Sequence, residues 1–310
     1  MTEAGKNGTA VTVGTFDGVH RGHREVLATL RRVAEERGLR PVVVTFDRHP
    51  LEVVAPDRAP AIIERRESRN RMLREQGVEV REVEFSEQVR QKTVTEWLKE
   101  LRDNYGAKVI VLGYDNTFGS DGRQQTFDYY AREASALGME AVVAPQVEGC
   151  SSSAVRRAVA DGDMGKAQEI LGRPFSIEGM VKRGRQLGRT IGFPTANVQP
   201  TGSRQLLPKP GVYGAEVEID GINGDSNSGS NPNADSNNIG VYNAIVNVGV
   251  NPTVTDSGDL SIEAHILNFE GNLYGRTIKI AFKRRIRDER KFASVADLQS
   301  QIARDLTQMG

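Results

Sequence analysis

One stretch near the amino terminus, V-G-T-F-D-G-V-H-R-G-H from Val13 to His23, restricts this chain more than any other. It reads as the end of an apolar strand (Ala10–Thr15), a glycine-bearing turn and the first turn of a helix. Behind it, Val26, Leu27, Leu30, Val33 and Ala34 recur at helical spacing. A strand–loop–helix unit of this kind turns backbone N–H groups and a helix dipole toward an anion, typically a phosphate. Gly14, Gly18 and Gly22 let backbone approach a ligand closely. His20 and His23, three residues apart at the helix start, share one face. Two imidazoles so placed can donate hydrogen bonds to charge that builds on a phosphate during transfer.

The first half alternates strand and helix. Strands are expected at Ala10–Thr15, Arg40–Thr45, Val78–Phe85, Lys108–Leu112 and Glu140–Ala144. Helices are expected at about Arg21–Arg37, Glu64–Gln76, from the capping box Thr93–Glu96 to about Asn104, and at Thr126–Leu137. This order predicts a parallel sheet covered on both faces. Ligands of such sheets sit at the carboxyl ends of the strands, near the switch point. His20 and His23, the Thr45–His49 segment and the Gly113–Gly119 loop all fall at that edge. The chain has only four histidines, so the placement of three there is informative. Ser151, Ser152 and Ser153 open a further helix, Ala154–Ala160. They read as caps for its free N–H groups, and with Arg156 one turn later as a cationic helix mouth suited to a triphosphate.

After a short helix, Met164–Leu171, Gly172-Arg173-Pro174 stop the pattern and the periodicity changes. Short strands follow at Ser176–Lys182, Gly211–Ile219, Tyr242–Val248, Ser261–Leu267 and Thr277–Ile286, and a helix at Val295–Thr307 closes the chain. This predicts an antiparallel β domain, a small barrel with a helix packed outside. The expected boundary divides residues 1–172 from 173–310. Gly221–Asn238, almost wholly Gly, Asn, Ser, Asp and Pro, lacks the apolar area to order itself and reads as a disordered, expanded hairpin tip. The string from Gly184 to Asn197, G-R-Q-L-G-R-T-I-G-F-P-T-A-N, sets Gly184, Gly188 and Arg189 in a composition suited to covering phosphates. In extended backbone Thr195 and Asn197 project to one side, where hydroxyl and amide oxygens can hold Mg²⁺. In L-S-I-E-A-H-I-L, Ile262, Ala264 and Ile266 alternate with Ser261, Glu263 and His265, so Glu263 faces solvent or ligand and can act as a base.

Composition excludes other classes. The 41 basic residues balance 41 acidic ones, which argues against generic nucleic-acid binding. No apolar run reaches membrane-spanning length, and residues 1–10 lack a signal-peptide core. Cys150 is the one cysteine, which excludes a disulfide framework. The expectation is a cytoplasmic, two-domain protein, monomeric or a weak homo-oligomer, with small-molecule substrates.

The motifs carry a resemblance. H-x-G-H after a first strand resembles the nucleotidylyltransferase superfamily, and G-T-F-D-G-V-H-R-G-H resembles the amino-terminal half of bacterial FAD synthetases. Gly113–Gly119 is similar to that family's G-x-D-F-x-F-G segment, with Asn116 at an aromatic position, and S-S-S-A-V-R to its S-S-T-x-I-R signature. G-F-P-T-A-N, Gly192–Asn197, resembles the riboflavin kinase signature throughout. The resemblance implies a nucleotidylyltransferase-type α/β domain followed by a riboflavin-kinase-type barrel. It further implies phosphorylation of riboflavin to FMN with ATP and Mg²⁺, then adenylylation of FMN to FAD. By that resemblance Glu263 is the kinase base, Thr195 and Asn197 hold the metal, and Gly14, Phe16, Gly22, Ser151, Ser152 and Arg156 hold ATP. His49 and Asp115 lie toward the flavin. Arg287, opening R-D-E-R-K-F, is either near the flavin or part of a solvated charge run. Two alternatives stand beside this. One is a riboflavin kinase with a weak adenylyltransferase domain, to which Asn116 and Arg48 (at a usual proline position) are relevant. The other is a non-catalytic flavin-binding regulator.

Overall fold

A computed structural model of the chain describes residues 8–114, 117–122, 125–184, 192–202, 204–220, 239–250, 260–290 and 292–308. Contacts group the chain into two compact units, Met1–Ser152 and Ser153–Gly310. The expected insertion at 221–238 lies outside the described residues.

The first unit holds a five-stranded sheet in the order β3-β2-β1-β4-β5. Its strands are β1 (Thr9–Val13), β2 (Arg40–Phe46), β3 (Glu79–Val83), β4 (Ala107–Leu112) and β5 (Glu140–Val143). All pair in parallel. Alternation along the strands splits the core in two. Val11, Val13, Val42, Val44, Ile110 and Leu112 pack on one face with Trp97, Leu98 and Leu101. These last belong to helix α5, Val94–Tyr105. Ala10, Val43, Val109 and Val111 pack on the other with Leu27, Leu30 and Val33 of α1, Arg21–Glu36. Both faces are therefore buried, which is why the strands read as apolar runs. The capping box at Thr93 forms as expected: Glu96 N donates to the Thr93 hydroxyl, and Thr93 N donates to the Glu96 carboxylate at 2.8 Å. Two short helices escaped the sequence reading, α2 (Leu51–Val54) and α4 (Glu87–Gln91). At four and five residues they are too brief for an apolar period to register. Helices α3 (Arg66–Glu75) and α6 (Phe127–Ala136) complete the unit.

The strand order reverses at β1, whose two neighbours are β2 and β4. The crevice outside the carboxyl ends of β1 and β4 is the place where such a sheet binds ligands. The H-x-G-H loop leaves β1 there.

The second unit is built on α7 (Ser152–Asp161), α8 (Met164–Leu171), a closed antiparallel barrel and α9 (Val295–Thr307). The barrel order is β10-β7-β6-β11-β8-β9, closed by the pairing of β9 with β10. Its strands are β6 (Phe175–Lys182), β7 (Ala196–Pro200), β8 (Gly211–Asp220), β9 (Ile239–Val250), β10 (Leu260–Ile266) and β11 (Thr277–Arg287). Strand β7 was not expected. It begins inside the G-F-P-T-A-N string, whose proline and glycine mask the start of a strand. Interior positions alternate as the sequence implies: Ile262, Ala264 and Ile266 are buried, while Ser261, Glu263 and His265 are partly exposed. The β8–β9 hairpin pairs as far as Asp220 and Ile239, the two residues that flank 221–238.

Candidate functional site

The loop after β1 is held under backbone strain. Phe16 and Val19 have φ of +50° and +40°, a region that β-branched and bulky side chains rarely enter. Both are nearly fully buried. What keeps them there is a set of contacts converging on the loop. The Asp17 carboxylate accepts N–H bonds from Ile63 at 3.1 Å and Glu64 at 3.0 Å. The Ser152 hydroxyl donates to the Asp17 carbonyl at 3.0 Å. Ser152 thus starts α7 and ties down the H-x-G-H loop.

His20 caps α1. Its Nδ1 accepts the His23 N–H at 3.3 Å, so the neutral ring carries its proton on Nε2 and presents a donor there. The His20 and His23 rings stack with centroids 3.6 Å apart, and Phe16 packs against His23 at 5.1 Å. Gly22 has a steric reason. A β-carbon there would lie 3.1 Å from the Cys150 carbonyl oxygen and 3.2 Å from the His20 ring. Gly14 likewise lies against the Phe16 ring. His23 is half-buried as a residue, but its Nδ1 is fully enclosed without a hydrogen-bond partner among the described residues. Burial, and secondarily the neighbouring His20, push the His23 imidazole well below its ordinary pKa. It is therefore neutral near pH 7.

That depression has a stability consequence. A group whose folded pKa lies below its unfolded value contributes fully above about pH 6.5 and loses that contribution as pH falls. Urea unfolding followed by Trp97, the chain's one tryptophan and buried in the first unit, should show a lower midpoint at pH 5.5 than at 7.5. In His23→Gln that decline should shrink, and an equal decline would remove His23 as its cause.

The other expected residues of this unit fall as follows. His49 lies past β2, with its backbone N–H donating to the Glu52 carboxylate at 3.0 Å and its Nδ1 accepting from Leu51 N at 3.2 Å. Arg48 pairs with Asp47 at 2.8 Å, and Asp47 in turn accepts the Phe85 N–H at 2.8 Å. Arg156 sits one turn into α7. Asp115 and Asn116 lie outside the described residues. Asp17 was missed as a fastener, although a carboxylate between two glycine-flanked turns is a known acceptor for loop N–H groups.

In the second unit, register does the assembling. Glu263 of β10 lies directly opposite Asn197 on β7 and Asn247 on β9. The Thr195 hydroxyl, one residue before β7, donates to Glu263 at 3.4 Å. Gly184 stands behind Asn197. A β-carbon at that glycine would sit 2.3 Å from the Asn197 amide nitrogen, so only glycine lets the amide lie where it does. His265 Nδ1 bonds the Pro194 carbonyl at 2.9 Å, and its ring meets Phe193 edge to face. It fastens the G-F-P-T string to β10. Gly188 and Arg189 lie outside the described residues.

Thr195, Glu263 and His265 open onto a pocket of about 290 Å³. Phe193, Val212, Ile245, Phe292, Leu298 and Ile302 give it apolar walls, and Thr195, Asn247, Glu263 and Glu289 supply polar groups. Arg287 is half-buried, while Asp288, Glu289 and Arg290 after it are exposed. Its guanidinium grips Asp305 of α9 in a forked ion pair, Nη2 to Oδ2 2.8 Å and Nε to Oδ1 3.1 Å, and Asp305 is completely buried. Gln301 donates to the same carboxylate at 2.6 Å and accepts from Arg290. Asn247 donates to Glu289 at 3.1 Å.

The two halves of the chain match two families in order. The FAD synthetase family profile matches residues 2–156, and the riboflavin kinase profile residues 171–310. The chain is 37% identical over 312 residues to the bifunctional riboflavin kinase/FMN adenylyltransferase of Escherichia coli K12, covering 98% of this chain and 93% of that one. The chain belongs to the bifunctional riboflavin kinase/FMN adenylyltransferase family. The Bacillus subtilis member is 33% identical over 303 residues, with 96% and 90% coverage. A crystal structure described as a macrolide-efflux protein from Streptococcus pneumoniae is 32% identical with a TM-score of 0.82, over 98% of this chain and 94% of that one. Efflux is said there of the pneumococcal protein. Among the described residues here, no helix is long and apolar enough to cross a membrane.

Three residues of this family member's pocket escaped the sequence reading: Asn247, Glu289 and Asp305. Two had left a signal. Asn247 interrupts the apolar run Ala244–Val250 of β9, where Asn is disfavoured. Asp305 extends the stripe Leu298, Gln301 and Ile302 at helical spacing, placing a carboxylate on a face meant for burial. A buried carboxylate requires a cation, and Arg287 is that cation.

Proposed function

We propose that this chain makes FAD from riboflavin in two ATP-dependent steps, one in each unit. A kinase domain, residues 173–310, transfers the γ-phosphoryl group of ATP to the ribityl 5′-hydroxyl, yielding FMN and ADP. An adenylyltransferase domain, residues 1–172, joins FMN to the α-phosphorus of ATP, yielding FAD and pyrophosphate. The observation that carries the reading is Glu263, with Thr195 beside it and Asn197 opposite it in register, at a pocket with apolar walls. Such a pocket suits a planar ring system with a polar tail reaching the carboxylate.

In the kinase step Glu263 accepts the hydroxyl proton as the oxygen attacks phosphorus. Thr195 and Asn197 offer hard, neutral oxygens beside one carboxylate. That donor set fits Mg²⁺ shared with nucleotide phosphates, and the Gly184 cradle fixes the amide. When bound, Mg²⁺ would neutralise phosphate charge. Gly188 and Arg189 would cover the phosphates, and Arg287, through Asp305, would set the wall against the flavin.

In the adenylyl step an FMN phosphate oxygen attacks and pyrophosphate leaves, so no covalent intermediate on the protein is needed. The His20 Nε2–H and His23 would stabilise charge on the transferring phosphate. Backbone at Gly14, Phe16 and Gly22, with Ser151, Ser152 and Arg156, would hold ATP. His49 and Asp115 would lie toward the flavin.

Incubation with riboflavin, ATP and Mg²⁺, followed by chromatography, should give FMN and then FAD. FMN alone would favour the kinase-only alternative, and unchanged riboflavin would overturn the reading. Within it, Gly184→Ala is expected to lower FMN formation about tenfold or more, because Asn197 must rotate away. FAD formation from supplied FMN should be unchanged, and an unimpaired kinase would show that the Asn197 pose is not needed.

A further inference from the structure

Arg69 of α3 has no place in the chemistry above, yet it is among the few buried charged residues of the first unit, 7% exposed. Its guanidinium spans two strand ends. Nη1 donates to the Thr15 carbonyl at 3.3 Å, just past β1, and Nη2 to the carbonyl of Phe46, the last residue of β2, at 2.7 Å. Nε and Nη2 both donate to Asn70 Oδ1, at 3.2 and 3.1 Å. The charge is answered from β3 by Glu82, with Oε2 at 3.5 Å. Glu82 is itself oriented by Asn70 Nδ2 at 2.8 Å and by an ion pair with Arg66. One planar group therefore fastens the carboxyl edge of three neighbouring strands.

The two carbonyls it holds are the exits to the two loops that carry the candidate residues. Thr15 leads to Phe16 and the H-x-G-H, and Phe46 leads to Asp47 and His49. Phe16 follows directly on the pinned carbonyl, carries positive φ, and lies against His23. Strained backbone persists only where its surroundings over-determine it. The Thr15–Arg69 bond is one such constraint, beside the Asp17 and Ser152 bonds. If cohesion alone were needed, packed apolar side chains would serve as well as a buried ion network. A fork that reaches two separate carbonyls is something only arginine supplies.

We propose that Arg69 is a positioning residue for nucleotidyl transfer, setting the H-x-G-H loop and the His49 loop in mutual register through Thr15 and Phe46. It touches no substrate. The inference rests on the adenylyltransferase reading of the first unit.

The test uses the full chain with Arg69→Lys, which keeps the charge and loses the fork. FMN formation from riboflavin and FAD formation from FMN are measured separately, and Trp97 fluorescence reports the folding of the first unit. The expected result is a fall in kcat for FAD formation of about 10²-fold, the scale of a 1 Å misplacement remote from the chemistry. KM for FMN should change far less than kcat, since Arg69 itself touches no substrate. The kinase rate and the Trp97 spectrum should be those of wild type. Wild-type kcat for FAD formation in the variant would overturn the inference. So would a loss that matches the fraction of molecules with an unfolded Trp97 signal. A wild-type chain that makes FMN and no FAD would overturn the adenylyltransferase reading, and the inference with it.

Discussion

Glu263→Gln is expected to lower riboflavin phosphorylation by about 10²- to 10⁴-fold, the usual contribution of a general base. The substitution is nearly isosteric. The Thr195 hydroxyl, now 3.4 Å from Glu263 Oε2, can donate to the amide oxygen of glutamine instead. The backbone pairing of residue 263 with Asn197 and Asn247 does not involve the side chain. Ile262 and Ala264, which carry the barrel packing on either side, are unchanged. The effect should therefore fall on kcat, with little change in the stability of the second unit. FAD formation from supplied FMN should proceed at the wild-type rate. A kinase rate within a few-fold of wild type would show that the proton leaves by another route and would remove Glu263 as base.

The two sites are made by different means, and this decided how much of each could be read in advance. In the barrel the site is a matter of parity. Alternation in L-S-I-E-A-H-I-L already put Glu263 and His265 on the solvent or ligand face, and the structure places them at the pocket, with Ile262 and Ala264 buried. Parity does not reveal which strands lie alongside, so Asn247 could not be joined to Glu263 without the β9–β10 register. The partnership of Arg287 with Asp305 spans the turn into α9, and no local pattern encodes it.

In the α/β unit the site is a matter of backbone constraint. Strand–loop–helix order and the carboxyl-edge rule located His20, His23 and His49 correctly at one edge. What they could not convey is why the loop holds its shape. That answer lies in long-range bonds from Asp17 to Ile63 and Glu64, from Ser152 to Asp17, and from Arg69 to Thr15. Each joins segments more than forty residues apart, beyond the reach of any periodic signal. The serines illustrate the point. Their sequence reading was a choice between helix cap and phosphate ligand. The structure adds a third role for Ser152, that of a tether for the loop bearing the histidines.

His23→Ala is expected to lower FAD formation from FMN by about 10²- to 10³-fold, the cost of losing one preorganised donor to developing charge. Unfolding would not be the cause. The His20 cap uses the backbone N–H of residue 23, at 3.3 Å from Nδ1, and alanine keeps that N–H. Alanine is also the stronger helix former in the first turn of α1. Removal of a buried imidazole whose pKa is depressed takes away a group that weakens the fold on acidification, so the variant should be no less resistant to mild acid. What is lost is the ring stacked on His20 and packed by Phe16, and with it, on the proposed reading, one of two imidazoles that would face the transferring phosphate. Supplied with riboflavin and ATP, the variant should accumulate FMN and stop there. This is the mirror of Glu263→Gln, which should convert FMN and leave riboflavin untouched. FAD production by His23→Ala within a few-fold of wild type would mean that the stacked pair serves the helix start alone, and that the phosphate is stabilised by backbone and by the α7 terminus.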